Sequence, residues 1–316
     1  MQGKIRALFN VLHRTDIITL VYIFLSMCYT IIGYQRVEGS INIVFNFMVI
    51  LVLMFVIAYL DDFFTLTNKS FMVYLTRFLH LWFAPFFYAY FFEVSTKIDR
   101  VIFRDNLDII FQKWDYLIFN YQPAIEWGLR WDWAWLQELM HFSYFCYYLL
   151  ILFVPLYIYI RQKEVIFKRI VFNISFVFYS CFIIYMVLPV VGGRAFEQAY
   201  QLTIEYRYGI FTHIMAYIYQ ASPHFGGAFP SSHVAVAVAI CLISVKYFEY
   251  LPYVMIPITV LLSFSTVYCH YHYFVDMVFG VLFGLFFYYL SEKAYKKLKV
   301  VDKKTVCLIN SLIISE

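Results

Sequence analysis

The sequence predicts an all-α fold, a polytopic membrane bundle of about eight transmembrane helices. Three observations carry this. The chain of 316 residues is 63% hydrophobic and only 14% charged, where a soluble domain carries about 25% charged residues. Apolar runs of about 18 residues or more recur along the whole length, enough to cross a hydrocarbon core of about 30 Å. Phe (36) and Tyr (30) dominate the apolar content. Many Tyr and Trp fall near the ends of the runs, where amphipathic rings favour the interface.

The runs lie at about residues 17–34, 41–60, 71–92, 135–159, 166–189, 231–248, 252–269 and 273–290. The first follows Arg14-Thr15-Asp16 and is long enough to span, so it reads as a retained helix rather than a cleaved signal peptide. Basic residues orient the bundle. Lys4, Arg6 and Arg14 precede the first span; Arg161, Lys163, Lys168 and Arg169 join spans four and five; Lys293, Lys296, Lys297, Lys299, Lys303 and Lys304 follow the last. With eight spans these clusters fall on one side, which is then cytoplasmic, with both termini. The segment from about Glu93 to Ala134 is external and reads as an interfacial helix on the outer leaflet. A second external segment, about Val191 to Phe229, holds Glu197, Glu205, Arg207 and His213 and forms either a cap or a packed connecting loop.

No linker or internal repeat breaks the chain, so one membrane domain is expected. The net charge of +4 clusters in short loops and at the termini, which excludes a nucleic-acid footprint. Cys28, Cys146, Cys181, Cys241, Cys269 and Cys307 have no paired spacing; they read as small buried hydrophobes rather than disulfides or metal ligands.

Three polar motifs sit at span ends on the same predicted side. Span five ends in Gly192-Gly193-Arg194. The glycines permit tight turns, and the planar guanidinium suits a phosphate. Alone, such an Arg reads as an interfacial residue snorkelling to headgroups. Span six opens with Pro230-Ser231-Ser232-His233. Pro favours a first helical turn, Ser is a good N-cap, and a helix N-terminus favours an anion. A His held there can protonate a departing oxygen. Span eight opens with His272-Tyr273-Phe274-Val275-Asp276. The i, i+4 spacing is expected to place His272 and Asp276 on one helix face. The carboxylate would fix the tautomer and leave the other ring nitrogen as nucleophile.

Other polar groups are weaker signals. His270 reads as a wall residue. Arg77 lies near the cytoplasmic end of span three with His80, and snorkelling explains it. Glu138 and His141 either line the same cavity or hydrogen-bond between helices.

In order, these residues resemble the type 2 phosphatidic acid phosphatase superfamily. Its pattern is an Arg motif, then Pro-Ser-Gly-His, then Ser-Arg followed after five residues by His-x-x-x-Asp. Arg194 matches the first motif; Pro230-Ser231-Ser232-His233 matches the second, with Ser232 in place of Gly; His272 and Asp276 match the third. Two cations of the pattern are replaced here, by Val187 and Thr266, which weighs against strong phosphatase activity. The run Ser265-Thr266-Val267-Tyr268 before His272, with Trp114-Asp115-Tyr116-Leu117 and Gln122-Pro123 upstream, is similar to the branch containing inositol phosphorylceramide synthase.

The resemblance implies a six-helix catalytic core over 71–291, after an N-terminal segment and two accessory helices (1–70) and before a basic cytoplasmic tail (292–316). It implies an enzyme acting on phospholipid or sphingolipid substrates at the non-cytoplasmic face. His272 is the expected nucleophile, Asp276 its support and His233 the acid; Arg194, Ser231 and Ser232 bind the phosphoryl oxygens. Transfer of a phospho-headgroup between lipids is expected, with lipid phosphate phosphatase as the alternative and a non-catalytic lipid-binding or transport protein as a different class. No cofactor or metal is expected, since no carboxylate cluster of metal-ligand character accompanies the motifs.

Overall fold

Nearly every apolar run becomes helix, and no strand occurs among the described residues of the computed structural model, which are 11–67, 70–161, 163–205, 208–221 and 226–298. Lys4, Arg6, Arg207, Lys299, Lys303, Lys304 and Cys307 lie outside them. The other five cysteines are free thiols. The protein is an all-α membrane helix bundle.

Helix α1 (Arg14–Ile32) starts where the His13 N–H donates to Asp16 Oδ2 at 2.6 Å, a reciprocal cap. It is followed by α2 (Ser40–Thr67). The single span expected at 71–92 is instead two helices, α3 (Ser70–Leu81) and α4 (Phe83–Lys97). The cause is Pro85, which has no N–H to give the Leu81 carbonyl. Two short helices follow, α5 (Asp108–Phe119) and α6 (Pro123–Arg130), the latter with its Pro at the favoured first position. Ile109, Ile110, Tyr116, Leu117 and Ile118 of α5 are exposed, whereas Asp108, Phe111 and Asp115 are buried. The helix thus turns apolar side chains outward, as an interfacial element does.

Long helices α7 (Ala134–Ile160) and α8 (Glu164–Val187) are followed by a 3₁₀ turn at Gly193–Ala195 and by α9 (Glu197–Glu205) and α10 (Ile210–Ala221). The chain closes with α11 (Ser232–Tyr247), α12 (Leu251–Tyr268) and α13 (Phe274–Lys297). Among the described residues, six helices (α1, α2, α7, α8, α12 and α13) are long and apolar enough to cross a membrane. Of the eight expected spans, the third is thus a broken pair and the sixth, α11, has 16 residues.

The described parts of the three basic clusters meet at one end of the bundle. Arg14 Nε donates to the Leu298 carbonyl at 2.8 Å, Arg169 bonds Glu292, and both guanidinium groups lie over the Tyr295 ring. At that end Arg77 does not snorkel: it pairs with Asp61 at 2.8 Å and Glu164 at 3.1 Å. His80 bridges Asp16 at 2.8 Å and Asp61 at 2.9 Å. Buried charges need such partners. The three polar motifs lie at the opposite end, where α8 finishes and α11 and α13 begin.

Candidate active site

Past the end of α8, Gly192 adopts φ +88°, and a Cβ there would stand 2.5 Å from the Tyr271 carbonyl oxygen. Only glycine meets both conditions. The Arg194 turn therefore lies flush against the loop carrying His270, Tyr271 and His272.

Helix α5 fastens both loops. Asp108 accepts the backbone N–H groups of Val191 (3.1 Å) and Gly192 (3.0 Å) and the Tyr273 hydroxyl (2.9 Å). Asp115, two turns on, accepts the N–H groups of Phe274 (2.8 Å) and Val275 (3.0 Å), the first residues of α13. Free N–H groups at a helix start need such acceptors. Burial raises both carboxyls, Asp115 to about 6. Neither residue was singled out from the sequence as part of a site. Their seven-residue spacing on one face of a mostly apolar helix was the available signal.

Ser231 is the N-cap of α11, accepting from the Val234 N–H, with Pro230 one residue before it rather than in the first turn. The Ser231 N–H donates to the Asp276 carbonyl at 3.1 Å, and Ser231 Oγ lies 3.2 Å from His272 Nε2. The two motifs are thus sewn together. His272 precedes α13 rather than sitting on it, so the expected shared helix face with Asp276 is not formed. The pair still converges: His272 Nδ1 is 3.6 Å from Asp276 Oδ2. That oxygen accepts the Tyr273 N–H at 2.9 Å, and the other, Oδ1, has no partner. Burial, then the positive charge of Arg194, lowers the His272 imidazole to about 3. Burial thus favours the neutral ring.

His233 lies across from it, ring centroids 5.8 Å apart. It is wedged by Tyr144 and Tyr147, one turn apart on α7, and its Nε2 is hydrogen-bonded to the Tyr144 hydroxyl at 3.0 Å. Ser232 donates its N–H to Tyr185 Oη at 3.0 Å. The Arg194 guanidinium lies 4.6 Å over the Tyr219 ring.

Arg194, Ser232, His233 and His272 line one cavity of about 430 Å³, within the ~300–1,000 Å³ of small-molecule sites. Ser231 and Asp276 stand behind His272. From the polar end the cavity runs along α8 (Phe178, Phe182), walled by Pro85, Tyr88 and Phe92 of α4 and by Tyr144, Tyr148 and Ile151 of α7. Both walls use i, i+3/i+4, i+7 spacing, a single helix face each. Helices α4 and α7 each pack on α8 and hardly touch one another, so the groove opens sideways. Helices α11 and α13 pack too closely to leave a second route between them. There a Cβ at Gly280 or Gly284 would stand 2.8 or 2.7 Å from the carbonyl oxygens of Ser231 and Ala235.

Ile218 and Tyr219 of α10 line the cavity, so this helix of the 191–229 segment covers the site as a cap. Glu138 instead caps α10, accepting from Phe211 and Thr212, and His141 donates to the Gln137 carbonyl. Neither lines the cavity. His270 Nδ1 donates to the Ala124 carbonyl at 2.6 Å, tying α6 to the His272 loop.

A family model described as the PAP2 superfamily, type 2 phosphatidic acid phosphatases, matches residues 113–290, more than half of the chain. The chain belongs to the PAP2 superfamily. The match holds Asp115 and all six predicted site residues but starts well after residue 71, leaving α1 to α4 and Asp108 outside. One wall of the cavity therefore lies beyond what this PAP2 match covers. No curated protein and no solved structure matches the chain.

Proposed function

We propose that this PAP2 protein transfers a phospho-headgroup from one lipid to the hydroxyl of another through a phosphohistidine at His272. The observation that carries the reading is the single cavity in which two histidines and an arginine meet at one end and an aromatic groove leads away sideways. His272 Nε2 forms the P–N bond as the bond to the leaving lipid oxygen breaks, and His233 gives that oxygen its proton. Asp276 takes the hydrogen bond of His272 Nδ1 as positive charge builds on the ring. Arg194 and the start of α11 at Ser231 and Ser232 hold the phosphoryl oxygens, a matter of positioning and electrostatics. In the second half His233 takes the proton of the acceptor hydroxyl, which attacks phosphorus and frees His272.

Lipid rather than water as acceptor is favoured by the mostly aromatic and apolar lining, which keeps competing water scarce. Val187 and Thr266 support it too, in place of the two cations of the phosphatase pattern. The Thr266 hydroxyl is spent on the Ser263 carbonyl, and its own carbonyl accepts from Tyr271 and His272. Substrate and acceptor reach the site through the groove between α4 and α7, from the non-cytoplasmic leaflet. Residues 71–291 act as the catalytic core, with 1–70 and 292–316 accessory.

The test is the fate of a labelled headgroup. Purified protein is given labelled phospholipid while ceramide or another lipid alcohol is titrated. New labelled lipid should exceed water-soluble phospho-headgroup. Water-soluble phospho-headgroup dominating with every lipid alcohol makes the protein a phosphatase-type hydrolase, and binding without turnover makes it a lipid-binding protein.

A further inference from the structure

His233 has two ring nitrogens in different surroundings. Nε2 is hydrogen-bonded to the Tyr144 hydroxyl at 3.0 Å, and that hydroxyl meets the Tyr219 hydroxyl at 2.7 Å. Nδ1 is buried and has no partner. The Tyr144 hydroxyl is itself buried within a stack. The Tyr144 and Tyr271 ring centroids are 4.5 Å apart, Tyr219 is stacked on Tyr271 at 4.1 Å, and the Arg194 guanidinium lies over the Tyr219 ring. The pair therefore runs from the side chain proposed to hold phosphate, through the cap helix α10, to the side chain proposed to protonate the leaving oxygen.

We propose that Tyr144, backed by Tyr219, is a positioning residue that makes Nδ1 the proton-exchanging atom of His233; this rests on the reading of His233 as acid and base. When His233 is charged, its Nε2–H donates to the Tyr144 oxygen, and the Tyr144 O–H donates to Tyr219. The Nδ1–H then goes to the leaving oxygen as the P–O bond breaks and His272 bonds phosphorus. The ring that remains is neutral, with its proton kept on Nε2 and a lone pair on Nδ1. That lone pair accepts the proton of the acceptor hydroxyl in the second half, restoring the charged ring. Without Tyr144 the neutral ring can place its proton on either nitrogen, and the ring is no longer held with Nδ1 toward the leaving oxygen.

The experiment compares two substrates with the same phosphoryl group. One has a lipid alkoxide leaving group and the other a p-nitrophenolate, which departs without a proton. Tyr144→Phe keeps the ring that packs on His233 and Tyr271 and removes only the hydroxyl. Its single-turnover rate of leaving-group release, which precedes the base step common to both substrates, should fall on the order of 10-fold or more with the alkoxide, less than the ~10²–10⁴-fold effect of a general acid, and stay near wild type with p-nitrophenolate. Tyr219→Phe should show the same pattern more weakly. Equal losses on both substrates, or no loss on either, overturn the proposal. His233→Ala separates it from the underlying reading: leaving-group dependence there without any in Tyr144→Phe sinks the tyrosine role alone. Its absence in His233→Ala overturns both.

Discussion

His272 Nδ1 lies 3.6 Å from Asp276 Oδ2, and that same oxygen accepts the Tyr273 N–H at 2.9 Å. One carboxylate therefore starts helix α13 and waits beside the imidazole. A small turn of the ring closes the contact.

His272→Ala should abolish turnover in a folded protein. Asp276→Asn keeps an oxygen able to cap α13 and should fold, yet lose activity steeply; an orienting carboxylate is worth about 10⁴-fold in the Ser-His-Asp arrangement. Single-turnover measurements with labelled lipid check both, and near-normal activity of folded His272→Ala would falsify the nucleophile.

Asp115 gives an opposed pH signature. Burial raises its carboxyl to about 6, above the unfolded value, so the folded protein takes up a proton first as pH falls. Stability from this group thus rises as pH drops from about 6 toward 4. Activity should move the other way, because a protonated carboxyl accepts less strongly from Phe274 and Val275 than the carboxylate does. Asp99, held up to about 6 by burial, titrates in the same window but touches neither loop of the site by hydrogen bond. Asp115→Asn should lower activity and remove the acid limb, while Asp99→Asn should leave it. Identical pH–rate profiles for wild type and Asp115→Asn count against the clamp.

Gly192→Ala should cost roughly 1–3 kcal/mol from the positive-φ backbone alone, with the contact against the Tyr271 carbonyl added. Because that contact pushes on the His272 loop, activity should fall more than thermal stability indicates. A variant with lowered melting temperature and full activity would show the two loops to be independent.

Ala89 lines the groove on α4. Ala89→Trp should fill it and reduce turnover of long-chain lipids while sparing a short-chain, water-soluble analogue. Equal losses on both would place lipid access elsewhere.

The bundle places the three motifs opposite the basic clusters. Single Cys residues introduced at exposed positions of α10, such as Tyr217, should react with an impermeant thiol reagent applied to intact cells. Labelling only after permeabilisation would put the site on the cytoplasmic face.

The motif residues were legible because each is a polar group at the edge of an apolar run, where it needs a reason to be. Helix existence was legible from the same runs; the break at Trp82 was marked by Pro85 and passed over within a continuous apolar stretch. Asp108 and Asp115 were not legible as site residues. Their partners are backbone N–H groups up to 160 residues away, which no local pattern announces. Tyr144 and Tyr219 were hidden differently, as two of 30 tyrosines in a chain where an aromatic ring is the ordinary filler. The i, i+4 expectation for His272 and Asp276 failed because the helix begins after His272, so proximity arises from a turn rather than from helical periodicity.

The α4 wall, residues 85–92, lies outside the stretch that marks the chain as a PAP2 protein. Part of the groove is thereby written in a different passage of the polypeptide from the three motifs, while α7 and α8 supply the rest from within it. Under the proposed function, a sequence comparison confined to the motifs would be blind to what α4 adds to the choice of lipid. Exchanging one helical face of α4 would then alter the lipid served while the reaction stays the same.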